Sequence, residues 1–207
     1  MQWSKGKPSG GLYQQNTIRD ACVAALTLDV FHNHADKLAM ANIAQLINVL
    51  QALLLVQEDR CIKPTYHVFD LYRPHKGAQA VRFITAAETV SDGEESATRC
   101  RDLYLDKQPF RLQAVHGSAS VRDGALCVTV VNTHPTQAVD LDLEVYQGKL
   151  NEAEMVTLVA DDIHAHNTFD QPERVCLSSA WTVTAREQHL RVALPAGGVT
   201  RLIGKLS

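Results

Sequence analysis

The sequence predicts an α+β protein made of two unlike parts, on three observations. Residues up to about Asp70 carry helical signals, whereas the chain after Pro74 breaks into short β-like segments separated by turns. Within the first part an apolar run lies between two helical patterns, the form of one βα unit of a larger α/β protein. A single unit of that kind cannot close its own sheet.

The elements follow in chain order. Gly10-Gly11 closes a polar leader. Asn16 or Thr17 can cap a helix through Ile18, Cys22, Ala25, Leu26 and Val30, whose apolar positions recur at three- and four-residue spacing, and His32-Asn33-His34 is a plausible stop. Leu38 to Gln45 is ambiguous on pattern: Ala, Leu and Met favour helix, yet a buried parallel strand has the same texture. Leu46 to Leu55 is expected to continue as helix. Pro64 suits the first turn of a short helix containing Tyr66, Val68, Phe69 and Tyr72.

In the second part, strands are expected at Leu103–Leu105, Leu112–Val115, Leu126–Val131, Val139–Val145, Met155–Val159, His189–Leu194 and Thr200–Ile203. Several alternate strictly between apolar and polar residues, so one face is buried and the other solvated. Arg122-Asp123-Gly124, Asn132-Thr133-His134-Pro135, Gln147-Gly148 and Pro195-Ala196-Gly197-Gly198 punctuate them. Strands at this spacing predict an antiparallel sandwich. Ser91 to Ser96 is polar and reads as a mobile loop.

Composition narrows the function classes. A net charge of -3 without a basic run argues against nucleic-acid or anionic-membrane partners. Five cysteines with no CxxC spacing suggest neither a disulfide framework nor a zinc knuckle, and read as buried thiols in a reducing compartment. The N-terminus lacks the apolar core of a signal peptide, and Val49–Val56 is too short to cross a bilayer. The expected location is cytoplasmic.

Few constellations point to chemistry. Asp161 to Asp170 holds His164 and His166, which would share one face of a strand, with carboxylates nearby. No third ligand has a fixed spacing, so a polar loop held by its own side-chain hydrogen bonds is expected rather than a metal site. His32 and His34 are expected to meet the last carbonyls of their helix. Ser118, Ser120 and His116 form a strand-edge trio with no assignable Ser-His-Asp arrangement. Glu94, Glu95, Glu152 and Glu154 read as solvated carboxylates. Tyr66 and His67 suit packing, with a sugar-facing role as the alternative, and Trp181 suits a core or sheet surface.

Four segments carry a resemblance: Leu12 to Ala21, His34 to Gln51, Pro64-Thr65-Tyr66-His67-Val68-Phe69-Asp70, and Ala165-His166-Asn167-Thr168-Phe169 followed by Pro172. In this order they resemble stretches of the α-L-arabinofuranosidases of glycoside hydrolase family 51. They span most of the chain, and residues between about 80 and 110 match least.

The resemblance implies a (β/α)8 barrel followed by a β-sandwich. The fold class expected is therefore α+β, the remnant of the last βα unit of a (β/α)8 barrel ahead of an antiparallel β-sandwich. Leu38 to Ala44 would be the eighth barrel strand and Pro64 to Tyr72 would close the barrel. Residues 1–75 would be the C-terminal end of the catalytic barrel and 76–207 the sandwich domain. Barrel enzymes place their chemistry at the C-terminal ends of strands. The family has an active-site glutamine matching Gln45, which binds the arabinofuranose ring and supports the nucleophile; Asn48 could assist it from behind.

The function implied is hydrolysis of terminal non-reducing α-L-arabinofuranosides in polysaccharides and oligosaccharides, with no cofactor and no metal. Such retaining glycosidases use two carboxylates about 5 Å apart. In the family the nucleophile lies in an Asp-Glu-Trp motif ahead of the segment matching Leu12, and that motif does not occur in this sequence. Neither catalytic glutamate is therefore assigned here, and the chain is expected to be inactive alone. The implied partners are an arabinofuranosyl-containing saccharide, an N-terminal barrel portion and, as in the family, further copies forming a hexamer. The alternatives are a non-catalytic carbohydrate-binding or assembly module, or a subunit complementing a split barrel. An incomplete barrel should also expose apolar faces at Ile18, Leu26, Ile43, Ile47 and Leu53.

Overall fold

A computed structural model describes residues 15–43, 46–48, 52–56, 58–91, 111–146, 148–186 and 189–207. The first element is helix α1, Ile18–Asn33. Thr17 precedes it in extended conformation, and the Asp20 carboxylate accepts bonds from the Thr17 amide at 2.8 Å and hydroxyl at 2.7 Å. That ties down the first turn, where helix amides have no internal partner. Ile18, Ala21, Cys22, Ala25 and Asp29 form its buried stripe.

The next stretch departs from the expected pattern. Residues 38–43 form no strand. A parallel strand takes its ladder from neighbours, and no other barrel strand is present among the described residues to supply one. Nor are the described residues of the helix expected from Leu46 to Leu55, 46–48 and 52–55, helical. Instead β1, Leu54–Val56, pairs antiparallel with β2, Arg60–Ile62. Asn48 adopts φ 55, a left-handed conformation that ends helical propagation and that asparagine tolerates.

Helix α2, Pro64–Tyr72, starts on Pro64 as expected and runs into a 3-10 turn at Arg73–His75. Proline fits there because the first-turn amide it lacks would have no helical partner.

The remaining chain builds β3 (Gln79–Val81), β4 (Thr89–Ser91), β5 (Arg111–Gln113), β6 (Val115–Arg122), β7 (Ala125–Asn132), β8 (Val139–Glu144), β9 (Glu152–Leu158), β10 (Trp181–Thr184), β11 (His189–Leu194) and β12 (Val199–Lys205). A six-stranded antiparallel sheet has the order β10-β9-β12-β7-β6-β3, while β11 pairs with β8 and β4 with β5. Five of the seven segments expected to be strands lie on β7, β8, β9, β11 and β12. Leu112 to Val115 splits between β5 and β6, and Leu103–Leu105 lies outside the described residues; of the loop expected from Ser91 to Ser96, Ser91 instead ends β4 and the rest lies outside the described residues. The β6–β7 turn uses Asp123 at φ 51 and Gly124 at φ 74, the two left-handed positions of a tight hairpin.

Side-chain alternation gives the six-stranded sheet two different faces. Val115, Ala119, Leu126, Val128, Val130, Met155 and Leu202 meet Leu190, Val192 and Leu194 of β11, forming the sandwich core. On the opposite face Val131, Val156, Leu158 and Val199 pack against Ile18, Ala21, Ala25, Val68 and Leu71 of the helices. One apolar core thus spans both parts of the chain. The α+β sandwich expected from the sequence is present, with the helices as a further layer on its sheet.

Candidate functional site

Gln45 lies outside the described residues. Asn48, the other expected substrate contact, has its carboxamide committed to β1: Nδ2 donates to Val56 O at 2.9 Å and Oδ1 accepts from Val56 N at 2.8 Å. Its backbone amide donates to Leu54 O at 3.1 Å. The side chain thus mimics a peptide group of a neighbouring strand and fixes the segment that follows position 45.

Beneath this hairpin, the Asn16 carboxamide exchanges bonds with Thr65, Nδ2 to Oγ1 at 2.7 Å and the Thr65 amide to Oδ1 at 3.2 Å. Those bonds pin the start of α1 to the start of α2. Lys63 is buried, and its Nζ donates to Gln15 Oε1 at 3.4 Å. Burial lowers its pKa, and the Cys61 thiol opposes that shift.

The apolar faces expected to be exposed divide. Ile43 and Ile47 are 42% and 47% exposed, beside Met40 at 76% and Leu46 at 57%. Ile18 and Leu53, in contrast, are buried, and Leu26 is half-buried. Ile18 is covered by the loop around Ala165, whose carbonyl accepts the Ile18 amide at 3.0 Å, so the sandwich shields what the barrel was expected to shield.

A second constellation lies between the helices and β6 and β7. Asp29 sits four residues after Ala25 on the buried face of α1. Its Oδ1 accepts from Ser118 Oγ at 2.7 Å and Tyr72 Oη at 2.8 Å, with Thr129 Oγ1 at 3.4 Å. His32 Nδ1 is 3.1 Å from Ser118 Oγ. His75 bridges Ser120 through Nδ1 at 2.7 Å and Thr129 through Nε2 at 3.1 Å. Asp29 Oδ2 is buried without a partner among the described residues. Ser118, Ser120 and Thr129 are all buried.

One arrangement of protons satisfies every one of these contacts. Ser120 donates to His75 Nδ1, and His75 Nε2–H donates to Thr129. Ser118, Thr129 and Tyr72 donate to Asp29, and His32 Nδ1–H donates to Ser118. Both imidazoles are then neutral. Burial agrees, lowering the His32 pKa and holding that of His75 down at about 3. Burial also raises the Asp29 carboxyl to about 7 against the opposing effect of its three donors.

The order of groups is not that of a nucleophilic triad. The serine stands between the histidine and the carboxylate, and it has no exposure through which to meet a substrate. Two expectations change here. The strand-edge trio is no edge, because α1 and the 3-10 turn cover Ser118 and Ser120. His32 bonds a strand hydroxyl rather than its own helix carbonyls. The signals in the sequence were an aspartate where α1 should be apolar, and the hydroxyls at 118, 120 and 129 on strands that are otherwise apolar or small.

Other candidates are simpler. His164 and His166 sit in a loop where the His164 amide donates to Asp162 Oδ1 at 2.9 Å and His166 Nδ1 is 3.1 Å from His164 O, the polar loop that was expected. Glu154 lies on the sheet surface, paired with Arg201 at 3.1 Å; Glu94 and Glu95 fall outside the described residues. Trp181 is on the sheet surface and 43% exposed. Tyr66 is 39% exposed and meets His67 edge to face. Among the described cysteines Cys22, Cys61 and Cys127 are buried and Cys176 is exposed.

Known proteins share this fold. Residues 2–197 match the family model of the alpha-L-arabinofuranosidase C-terminal domain. The intracellular exo-alpha-L-arabinofuranosidase of Bacteroides ovatus is 31% identical over 198 residues, which cover 95% of this chain and 36% of that protein. The crystal structure of the GH51 arabinofuranosidase from Xanthomonas axonopodis pv. citri is 32% identical with a TM-score of 0.83, over 98% of this chain and 38% of that one. The thermostable GH51 alpha-L-arabinofuranosidase of Thermotoga petrophila shares the fold, at 20% identity and a TM-score of 0.73 over 92% of this chain and 39% of its own. The chain spans a little over a third of the length of these relatives.

Proposed function

The chain belongs to the alpha-L-arabinofuranosidase C-terminal domain family, as the C-terminal portion of a GH51 arabinofuranosidase, and from that premise we propose that it completes a retaining α-L-arabinofuranosidase without supplying its catalytic carboxylates. The whole enzyme would remove terminal non-reducing α-L-arabinofuranosyl groups from polysaccharides and oligosaccharides. The observation that carries this reading is the likeness to a GH51 enzyme over 98% of this chain but 38% of that one.

In this reading residues 1–75 end the catalytic barrel and 76–207 form the sandwich. Gln45 binds the arabinofuranose ring, and Asn48 holds the segment that presents it. The exposed Met40, Ile43, Leu46 and Ile47 are the surface on which the remainder of the barrel packs, because exposed apolar clusters favour association. Among the described residues no helix is long and apolar enough to cross a membrane. A cytoplasmic location is supported by the intracellular relative.

Hydrolysis of 4-nitrophenyl α-L-arabinofuranoside by the chain alone, and by the chain mixed with a matching N-terminal barrel portion, tests the proposal. We expect turnover only in the mixture, lost with Gln45→Ala. Turnover by the pure chain, persisting after repurification, would overturn it.

A further inference from the structure

The Asp29 network joins the helical layer to the sheet by directional bonds, and its central group carries a proton that can leave. Tyr72 of α2, Ser118 of β6 and Thr129 of β7 converge on one carboxyl oxygen from α1. The other oxygen is buried and has no hydrogen-bond partner among the described residues. A cation on this face, Arg201 of β12, lies cross-strand from Thr129, and its guanidinium pairs with Glu154 at 3.1 Å; the cysteines, Tyr72 and the histidines around Asp29 are neutral near pH 7. Burial raises the Cys22 thiol and, on the same face of β7 as Thr129 and 3.6 Å from His75 Nε2, the Cys127 thiol to about 12, and it raises the Tyr72 phenol well above its ordinary value. His32 and His75 are neutral for the same reason. Among the described residues no lysine or arginine is ion-paired with Asp29. A carboxylate here would hold an unsatisfied oxygen and a charge without a counter-ion in a low-dielectric layer, which is costly.

We propose that Asp29 is a proton-controlled latch between the helical layer and the six-stranded sheet, closed when its carboxyl is protonated and loosened when that proton passes to solvent. The donors from Ser118, Thr129 and Tyr72 keep the ionised form from being expelled outright, so the response is a graded loosening of α1 rather than unfolding.

The sign follows from linkage. In the closed state Asp29 keeps its proton up to about pH 7. Opened to water, it would lose the proton near its ordinary value of about 3.9. The opened state therefore releases the proton first, and opening becomes about ten-fold more favourable per pH unit between those values, then levels off. His32 and His75 act in the opposite direction as pH rises toward 6.5, because they are neutral when closed and protonate when opened. A variant that retains both histidines and removes only the carboxyl charge separates the two effects.

The test is native-state hydrogen exchange of the α1 amides in the full chain and in Asp29→Asn, corrected for intrinsic rates, from pH 5 to 8.5. We expect the ratio of opening constants, wild type over variant, to rise at least about ten-fold between pH 5 and 7.5 and to stay flat above. A ratio independent of pH would overturn the latch. If the variant does not fold, the 13C titration of the Asp29 carboxyl in the wild-type chain decides: a midpoint near neutrality supports the proposal and one below pH 5 refutes it.

Discussion

The two faces of the six-stranded sheet are built from the same strands and hold their partners in different ways. Toward β8 and β11 the contact is mostly apolar, with Val128, Val130 and Leu202 against Leu190, Val192 and Leu194, and Asn132 Nδ2 donates across it to Leu194 O at 3.1 Å. Toward the helices it is apolar at Val131, Val156, Leu158 and Val199 but polar at Ser118, Ser120 and Thr129. Apolar burial is non-directional and tolerates small shifts of one layer over another. A hydroxyl ladder is satisfied only when Asp29, Tyr72 and His75 arrive in one register, because each buried polar group left unpaired is penalised. Both faces bury a cluster of apolar residues, and on the second the hydroxyls also fix where the helices sit.

That division can be broken from either side. Leu202→Ala removes a fully buried side chain from the apolar face and should cost about 3 kcal/mol, measured by urea unfolding. A cost below about 1 kcal/mol would mean that the two layers collapse around the cavity and are less tightly packed than they look.

The polar face should answer to pH instead. His75 is held neutral down to about pH 3, whereas an unfolded chain would protonate it near 6.5. Its contribution is therefore complete above about pH 6.5 and lost as pH falls toward 3, by roughly 1.4 kcal/mol per pH unit at most. Replacing it in His75→Gln should flatten that slope in denaturant midpoints measured between pH 4 and 6.5. An unchanged slope would assign the acid response to other groups.

Tyr72→Phe tests the same face more gently. The phenol lies 2.8 Å from Asp29 and 3.2 Å from Ala25 O, and the variant removes the donor while keeping the ring. A loss of roughly 1–2 kcal/mol is expected, with Asp29 titrating higher because one bond to its ionised form has gone. Thermal unfolding indistinguishable from wild type would show that the phenol hydrogen bond is dispensable.

The smallest effect should come from Asn48→Ala, which touches neither face. It removes both bonds to Val56 and should cost about 1 kcal/mol or less globally, with faster amide exchange confined to β1 and β2. Loss of protection spreading into α1 would contradict the local role.

Gly117 shows how closely the faces are held. A Cβ there would lie 2.5 Å from Thr129 O and 2.8 Å from the Phe83 ring, so β6 approaches its neighbours where only a hydrogen fits.

Legibility in the sequence divided along the same line. Strands β7, β8, β9, β11 and β12 were readable because their apolar patterning, a continuous run in β7 and alternation in β8 and β11, is local, and α2 because proline marks its start. The hairpin of β1 and β2 was not readable: Leu46 to Leu55 is apolar with no period that separates helix from strand, and the turn at Asn48 depends on Val56 eight residues later. The segment from Leu38 matched a barrel strand by resemblance, but strand geometry needs hydrogen-bonding neighbours that the described chain does not provide. Of the two expected site residues, Asn48 has a structural place and Gln45 lies outside the described residues.

By itself, then, the sequence determined the two-part α+β order, most sandwich strands and the family, since periodicity, turn chemistry and motif order are properties of consecutive residues. Only the tertiary structure decided that the helices cover the sheet, that Ile18 is buried by the sandwich and that Asp29, Tyr72, His75, Ser118 and Thr129 form one network. The bonds from Tyr72, Ser118 and Thr129 to Asp29 join residues 43 to 100 positions apart, and no local pattern states which distant hydroxyl will meet a buried carboxyl.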